Sequence, residues 1–297
     1  MIKNKITRRD LIKKSALAAV GSALYFNMPK IVFANKTSKT KVILIRNKNV
    51  IDDNGIVNSN IIKEMLDEAV VTLTGKSDIS QSWATIFNKN DIVGIKTNEW
   101  HNLHTPSELE EAIKNRIIET GVNSQNISIK DRGVLNDDVF KNATALVNVR
   151  PIRTHYWAGV GSLIKNYIMF SEKPSSYHPD TCADLGALWK LPIVEGKTKL
   201  NILVMLTPLF HGVGPHHFNK EYTWKYNGLL VGFDPVAVDS VGIRILQEKR
   251  RQYFGEDRPI NPPPKHIFIA DTKYKIGTAD PNKIELISLG WKNDILI

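Results

Sequence analysis

The chain has 297 residues, 42% hydrophobic and 24% charged, the balance of an ordinary globular protein. That excludes disordered, collagenous and low-complexity classes. The single cysteine, Cys182, excludes an intrachain disulfide and a thiolate-held zinc or iron–sulfur centre. No G-x-G-x-x-G and no phosphate-loop pattern occurs, so no dinucleotide cofactor is expected.

Net charge is +10, and the N-terminus inflates it. Lys3, Lys5, Arg8, Arg9, Lys13, Lys14 and Lys30, against Asp10 alone, place six of those ten charges within residues 1–34. The remaining excess is mild and scattered, unlike a nucleic-acid stripe, so no nucleic-acid partner is expected. Thr7-Arg8-Arg9-Asp10-Leu11-Ile12-Lys13 is followed by an apolar stretch over residues 15–26 and by Val32-Phe33-Ala34, a relaxed small-residue cleavage signal. The stretch is too short to span a membrane. Pair, apolar core and cleavage site in that order resemble a twin-arginine export signal. The resemblance implies passage through the twin-arginine translocase, cleavage near Ala34 and a periplasmic or exported mature chain. The alternatives are a plain secretory signal or an amphipathic N-terminal helix. No later segment is long and apolar enough to be an integral membrane segment.

In chain order, residues 41–46 (KVILIR) are a β-branched run that predicts a strand. Ile61, Ile62, Met65, Leu66, Ala69, Val70 and Leu73 repeat at helical spacing and predict a helix over 60–73. A second strand is predicted over 91–96. Thr105-Pro106-Ser107-Glu108 reads as a capping box with proline at the first helical position, opening a helix to about Thr120 that Gly121 stops. Further strands are predicted over 126–131, 143–149, 200–205 and 229–233. Asp234-Pro235 caps a helix through about Lys249, and residues 265–270 and 284–289 read as late strands. The alternation predicts one compact α/β domain over residues 35–297. Its core is a mostly parallel sheet with helices on both faces, and loops are inserted between Pro151 and Asn227.

Ligands of such sheets bind beyond the carboxyl ends of the strands. The polar residues just after each strand are therefore the candidates. Lys96, Asn98, His101 and His104 follow the second strand, and Asp131 and Arg132 follow the third. Arg150, Arg153, Thr154 and His155 follow the fourth, ahead of Gly159, Gly161, Lys165 and Asn166. His211, Gly214, His216 and His217 follow the fifth, and His178 lies in the insertion. A single site built from several loops would give this distribution.

Lys96-Thr97-Asn98-Glu99, the Thr105-Pro106 helix start, Arg153-Thr154-His155 with Gly159 and Gly161 before Lys165-Asn166, Gly214-Pro215, and Asp234-Pro235-Val236-Ala237-Val238-Asp239 together resemble the domain-of-unknown-function family 362. The resemblance covers about residues 42–246. It implies the fold and the location of the site, and it implies no particular reaction. Two positions depart from the family. Arg153 stands where lysine is frequent, and Leu203-Val204-Met205-Leu206-Thr207 lacks a frequent acidic residue. Some relatives carry a ferredoxin-like cluster domain, for which this chain lacks the cysteines.

His211, His216 and His217 put three imidazoles in a seven-residue loop. With His155 and His178 they are the candidate ligands of a divalent transition metal ion whose identity is open. His216 and His217 are adjacent, so only one of them would face the site. The alternative is a histidine-rich turn bonded to backbone. Lys96, Arg150, Arg153 and Lys165, with Asn98, Asn166 and the Gly214 backbone, suit a carboxylate or phosphate. His155, Lys96, Asp131 and Lys165 are the candidate catalytic groups, His155 as ligand or as general acid–base. Asp234 reads as an N-cap, whereas Asp239, amid Val236, Val238, Val241 and Ile243, must be paired or functional. Cys182 reads as inert and His266 as structural. Two functions follow as expectations. One is an exported enzyme with a histidine-lined metal site, acting on an anionic small molecule by hydrolytic or redox chemistry. The other is a periplasmic ligand- or metal-binding accessory protein without turnover.

Overall fold

The computed structural model describes residues 39–297. The expected export signal lies outside them. Eight strands form one sheet: β1 (Thr40–Arg46), β2 (Val93–Lys96), β3 (Ile127–Lys130), β4 (Ala145–His155), β5 (Gly159–Gly161), β6 (Thr198–Leu209), β7 (Gly228–Gly232) and β8 (Ile284–Gly290). Their order is β3-β2-β4-β6-β7-β1-β8, with β5 paired to β4. β2 is parallel to β3 and β4, β4 to β6, and β1 to β8. β7 runs antiparallel to β6 and β1. The α/β fold on a mostly parallel sheet is thus as expected.

The helices are α1 (Ser59–Thr74), α2 (Ile79–Ala84), α3 (Ser107–Glu119), α4 (Asp138–Lys141), α5 (Leu163–Asn166), α6 (Pro179–Cys182), α7 (Pro235–Phe254) and α8 (Lys265–Thr272). None is long and apolar enough to cross a membrane among the described residues. α1 starts where the Asn58 side chain accepts from the N–H groups of Asn60 and Ile61, and it ends on left-handed Gly75. Asp234 caps α7 in the same way. Alternate residues of β1 enter different clusters, as strand geometry dictates. Ile43 and Ile45 pack with Leu66 and Val70 of α1 and Ile113 of α3. Val42 and Leu44 pack with Val238 and Val241 of α7. Each such fully buried side chain contributes about 1.5–3 kcal/mol of transfer free energy.

Three predicted elements are corrected. Residues 265–270 are helical, not extended: His266, Ile267 and Ala270 are buried at helical spacing while Phe268 is exposed. A short apolar run fits either period, and here tertiary packing chose the helix. The capping box at Thr105 is not made. The N-cap of α3 is Pro106, without a side-chain bond, and the Thr105 hydroxyl instead accepts the Asn98 N–H at 3.3 Å. Finally, β4 does not stop near Val149 but runs to His155, so Arg150, Arg153 and His155 belong to a strand rather than a loop.

Candidate anion-binding cleft

The parallel strands β2, β3, β4 and β6 present their carboxyl ends along one edge, and a cleft of about 460 Å³ opens there. Asn98, Asp131, Arg150, Arg153, His155 and Lys165 line it, and Asn166, Trp100, His178, Glu99 and Arg132 are among the other residues of its wall. Residues as far apart in sequence as Asn98 and His178 thus meet in one place. Arg150 and Arg153 are three positions apart, so a regular strand would turn them to opposite faces. An irregularity in β4 and β6 removes that conflict. Between the pairs Pro151–Val204 and Arg153–Leu209, β6 has four residues where β4 has only Ile152. Such a bulge re-aims side chains, and it brings both guanidinium groups to the cleft.

Lys96 lies under the cleft rather than in it. Its fully buried ammonium donates to the Thr97 carbonyl at 2.7 Å, to Asp131 Oδ1 at 2.8 Å and to Asn166 Oδ1 at 3.4 Å. Burial lowers it to about 8 even with Asp131 alongside. Burial alone would raise Asp131. The charge and hydrogen bond of Lys96, the Glu99 N–H at 3.1 Å and the charge of Arg150 outweigh that, and hold its carboxyl below the usual range. Lys96 and Asp131 are therefore a closed pair, and neither is a free acid or base. The Asn166 amide extends the network, donating to the Lys96 carbonyl at 3.0 Å and to Asn148 Oδ1 at 2.8 Å, which locks β2 to β4.

Asp239 answers the demand that a carboxylate on an apolar helix be paired. It accepts from Ser162 Oγ at 2.7 Å and from the N–H groups of Leu163 and Ile164, both at 2.9 Å. Burial pushes it up to about 6 against the pull of those donors and of Arg150. This carboxylate fixes the start of α5 and hence the position of Lys165.

Three buried cations remain for the cleft, besides the exposed Arg132. Arg150 donates through Nε to the Pro151 carbonyl at 3.3 Å. Arg153 donates through Nη1 to Asn98 Oδ1 at 2.9 Å and stacks over Trp100, 4.5 Å from the ring centroid, while its buried Nε has no partner. Lys165 has only the Cys182 sulfur, at 3.8 Å. Among the described residues no carboxylate hydrogen-bonds any of the three. Burial first, then the neighbouring guanidiniums, lower Lys165 to about 8, against the pull of Cys182. Cys182 is therefore not isolated, as its lone place in the sequence suggested. It closes a turn in which Asp180, Thr181 and Cys182 all take left-handed φ values of 47°, 56° and 62°. Consecutive non-glycine residues there store strain.

His155 Nδ1 accepts the Trp157 N–H at 3.2 Å, which puts the ring proton on Nε2. Burial, and then the charges of Lys165, Arg153 and Arg150, hold the imidazole far below its ordinary range, so it is neutral. It is a hydrogen-bond donor in this state, not a general base at Nε2.

The five candidate metal-ligating histidines do not form one ligand set, which corrects that expectation. His211 Nδ1 lies 3.1 Å from Arg250 Nη1, and its ring sits edge-on to Tyr222 and Phe254. His178 stacks on Trp157 at 4.0 Å, and His216 packs edge-on to Tyr156 and Trp157. His217 is exposed. Among the described residues, no three His, Cys, Asp or Glu side chains are grouped to hold a metal ion. Gly214 also has another role. Its φ is +62°, and a Cβ there would meet the Thr154 carbonyl at 2.3 Å, so the glycine lets the histidine loop pack closely against β4, and it does not line the cleft. The place of Cys182 and the bulge were not anticipated. No local sequence signal marks them, because each depends on a partner more than 15 positions away.

The chain matches no family model, no curated protein and no solved structure.

Proposed function

We propose that this is an exported protein that binds a small anionic molecule in the cleft and acts on it chemically. The observation that carries the reading is the convergence of Arg150, Arg153 and Lys165, each at most 5% exposed, on one cleft with no carboxylate bonded to any of them. Like charges held together away from water are costly, and a bound anion offsets that cost. Charge-assisted bonds from guanidinium suit carboxylate, phosphate or sulfate. A neutral histidine donor, an amine shifted toward neutrality and a strained turn beside it favour turnover over storage, since such features concentrate at reacting sites.

Thermal melting tests the anion. Phosphate, sulfate or a small carboxylate at about a hundred times its dissociation constant should add about 2.7 kcal/mol, or about 5 °C or more in Tm, where chloride at equal ionic strength adds little. Arg150→Gln should remove the response. A response unchanged in that variant, or none with any anion, contradicts the reading.

Arg8-Arg9 supports the export half. Lysine lacks the planar guanidinium fork, so changing both arginines to lysine should strand the precursor in the cytoplasm. Equal periplasmic yield of the variant, cleaved at the same place, would count against a twin-arginine route.

A further inference from the structure

The two buried lysines of this region differ in a way that anion binding does not require. Lys96 spends its ammonium protons on three oxygen acceptors, one of them a carboxylate. Lys165 faces the cleft, is 5% exposed, and has a thiol as its only hydrogen-bond partner among the described residues. Only the Cys182 sulfur favours a positive charge on Lys165, and a thiol is a weak acceptor, whereas burial, Arg150 and Arg153 all oppose that charge. Such surroundings make an amine a nucleophile, by removing water and by placing cations beside it. The amine is also held in place, because α5 is anchored through Ser162, Leu163 and Ile164 to Asp239.

We infer that Lys165 forms an imine with the carbonyl carbon of a 2-oxo acid whose carboxylate lies on Arg150 and Arg153. This rests on the anion-cleft reading and names the substrate class and the reacting atom. The neutral amine attacks the carbonyl carbon. A C–N bond forms and the C=O π pair moves to oxygen. The two nitrogen-borne protons leave with that oxygen as water, and a C=N bond remains. Nothing is oxidised or reduced, and no co-reactant is needed. The Nε2–H of His155 is a donor for the carbonyl oxygen during attack. The carboxylate is what selects the substrate, because the cleft offers cations to it and no comparable group to a neutral ketone.

Reductive trapping tests this on the mature protein. Pyruvate, glyoxylate and 2-oxoglutarate are each incubated with it near pH 8, treated with borohydride, and the modified lysine is located by peptide mass mapping. At least one should give a single reduced adduct on Lys165, and acetone should label it at least tenfold less. Lys165→Arg should lack the adduct. No adduct with any of the three acids, or adducts spread over surface lysines such as Lys63 with Lys165 unmodified, overturns the imine. If melting rises with anions but no adduct forms, only the imine chemistry fails. If melting does not respond at all, the anion cleft itself fails.

Discussion

Asp239→Ala is expected to remove a large part of the stability of the fold. The carboxylate satisfies three buried donors, at 2.7, 2.9 and 2.9 Å. A hydrogen bond to a charged group is worth about 1.5–3 kcal/mol, and an orphaned buried donor costs about 1–3 kcal/mol. The residue itself is fully buried on α7, so the truncation also leaves a cavity. The loss should therefore reach about 4 kcal/mol or more, against a total of about 5–15 kcal/mol for a typical domain. Urea unfolding followed by circular dichroism would measure it. Asp239→Asn keeps one acceptor and should lose less. A loss under about 1 kcal/mol for the alanine variant would show that α5 is held by something else.

The second large effect is expected at Asp131. Asp131→Asn leaves Lys96 as a fully buried ammonium with no counter-charge, and breaking one side of a buried pair costs about 3–5 kcal/mol. The loss should depend on pH in a definite direction. Lys96 is already lowered to about 8 from an ordinary 10.5. A lysine whose folded value is depressed holds fewer protons in the folded state than in the unfolded one. Stability therefore rises with pH between the two values. Without Asp131, which raises it, Lys96 falls further below 8, so part of the stability lost relative to the wild type should return as pH rises toward about 8. Lys96→Met combined with Asp131→Leu should recover more than either single change. Equal destabilisation at pH 7 and pH 10 would mean that Lys96 is not the affected group.

Much of this molecule was legible from local pattern, because local pattern is what secondary structure responds to. The apolar spacing from Ile61 to Leu73 and the Asp234-Pro235 cap mark α1 and α7 in the chain. The cleft was legible in outline for a related reason: parallel strands gather their carboxyl ends, so polar residues after successive strands converge. What the sequence did not disclose depends on distant partners. Residues 143–149 read as a complete strand, yet Arg150 to His155 continue it, because β6 and β5 supply the pairing. Lys96 and Lys165 look alike as isolated lysines. Only the approach of Asp131 to one and of Cys182 to the other separates a closed ion pair from a reactive amine. The histidines read as ligands by residue type, but their rings pack on aromatic or cationic neighbours: His178 and His216 on Trp157, and His211 beside Arg250.

Calorimetric titration of the mature protein with sulfate at pH 7 and at pH 9.5 tests the cationic cleft most directly. Sulfate keeps its charge over this range, so any change belongs to the protein. Lys165 loses its proton near 8, as does Lys96 in its closed pair beneath the cleft. Arg150 is lowered only to about 10, burial lowers Arg153 as well, His155 is neutral throughout, and burial raises the Cys182 thiol. Deprotonation of Lys165 removes one charge-assisted bond of about 1.5–3 kcal/mol, so the affinity should fall at least about tenfold at the higher pH. Lys165→Arg should flatten that dependence. Absence of binding at pH 7, or an affinity that is the same at both values, would contradict an anion site built on Arg150, Arg153 and Lys165.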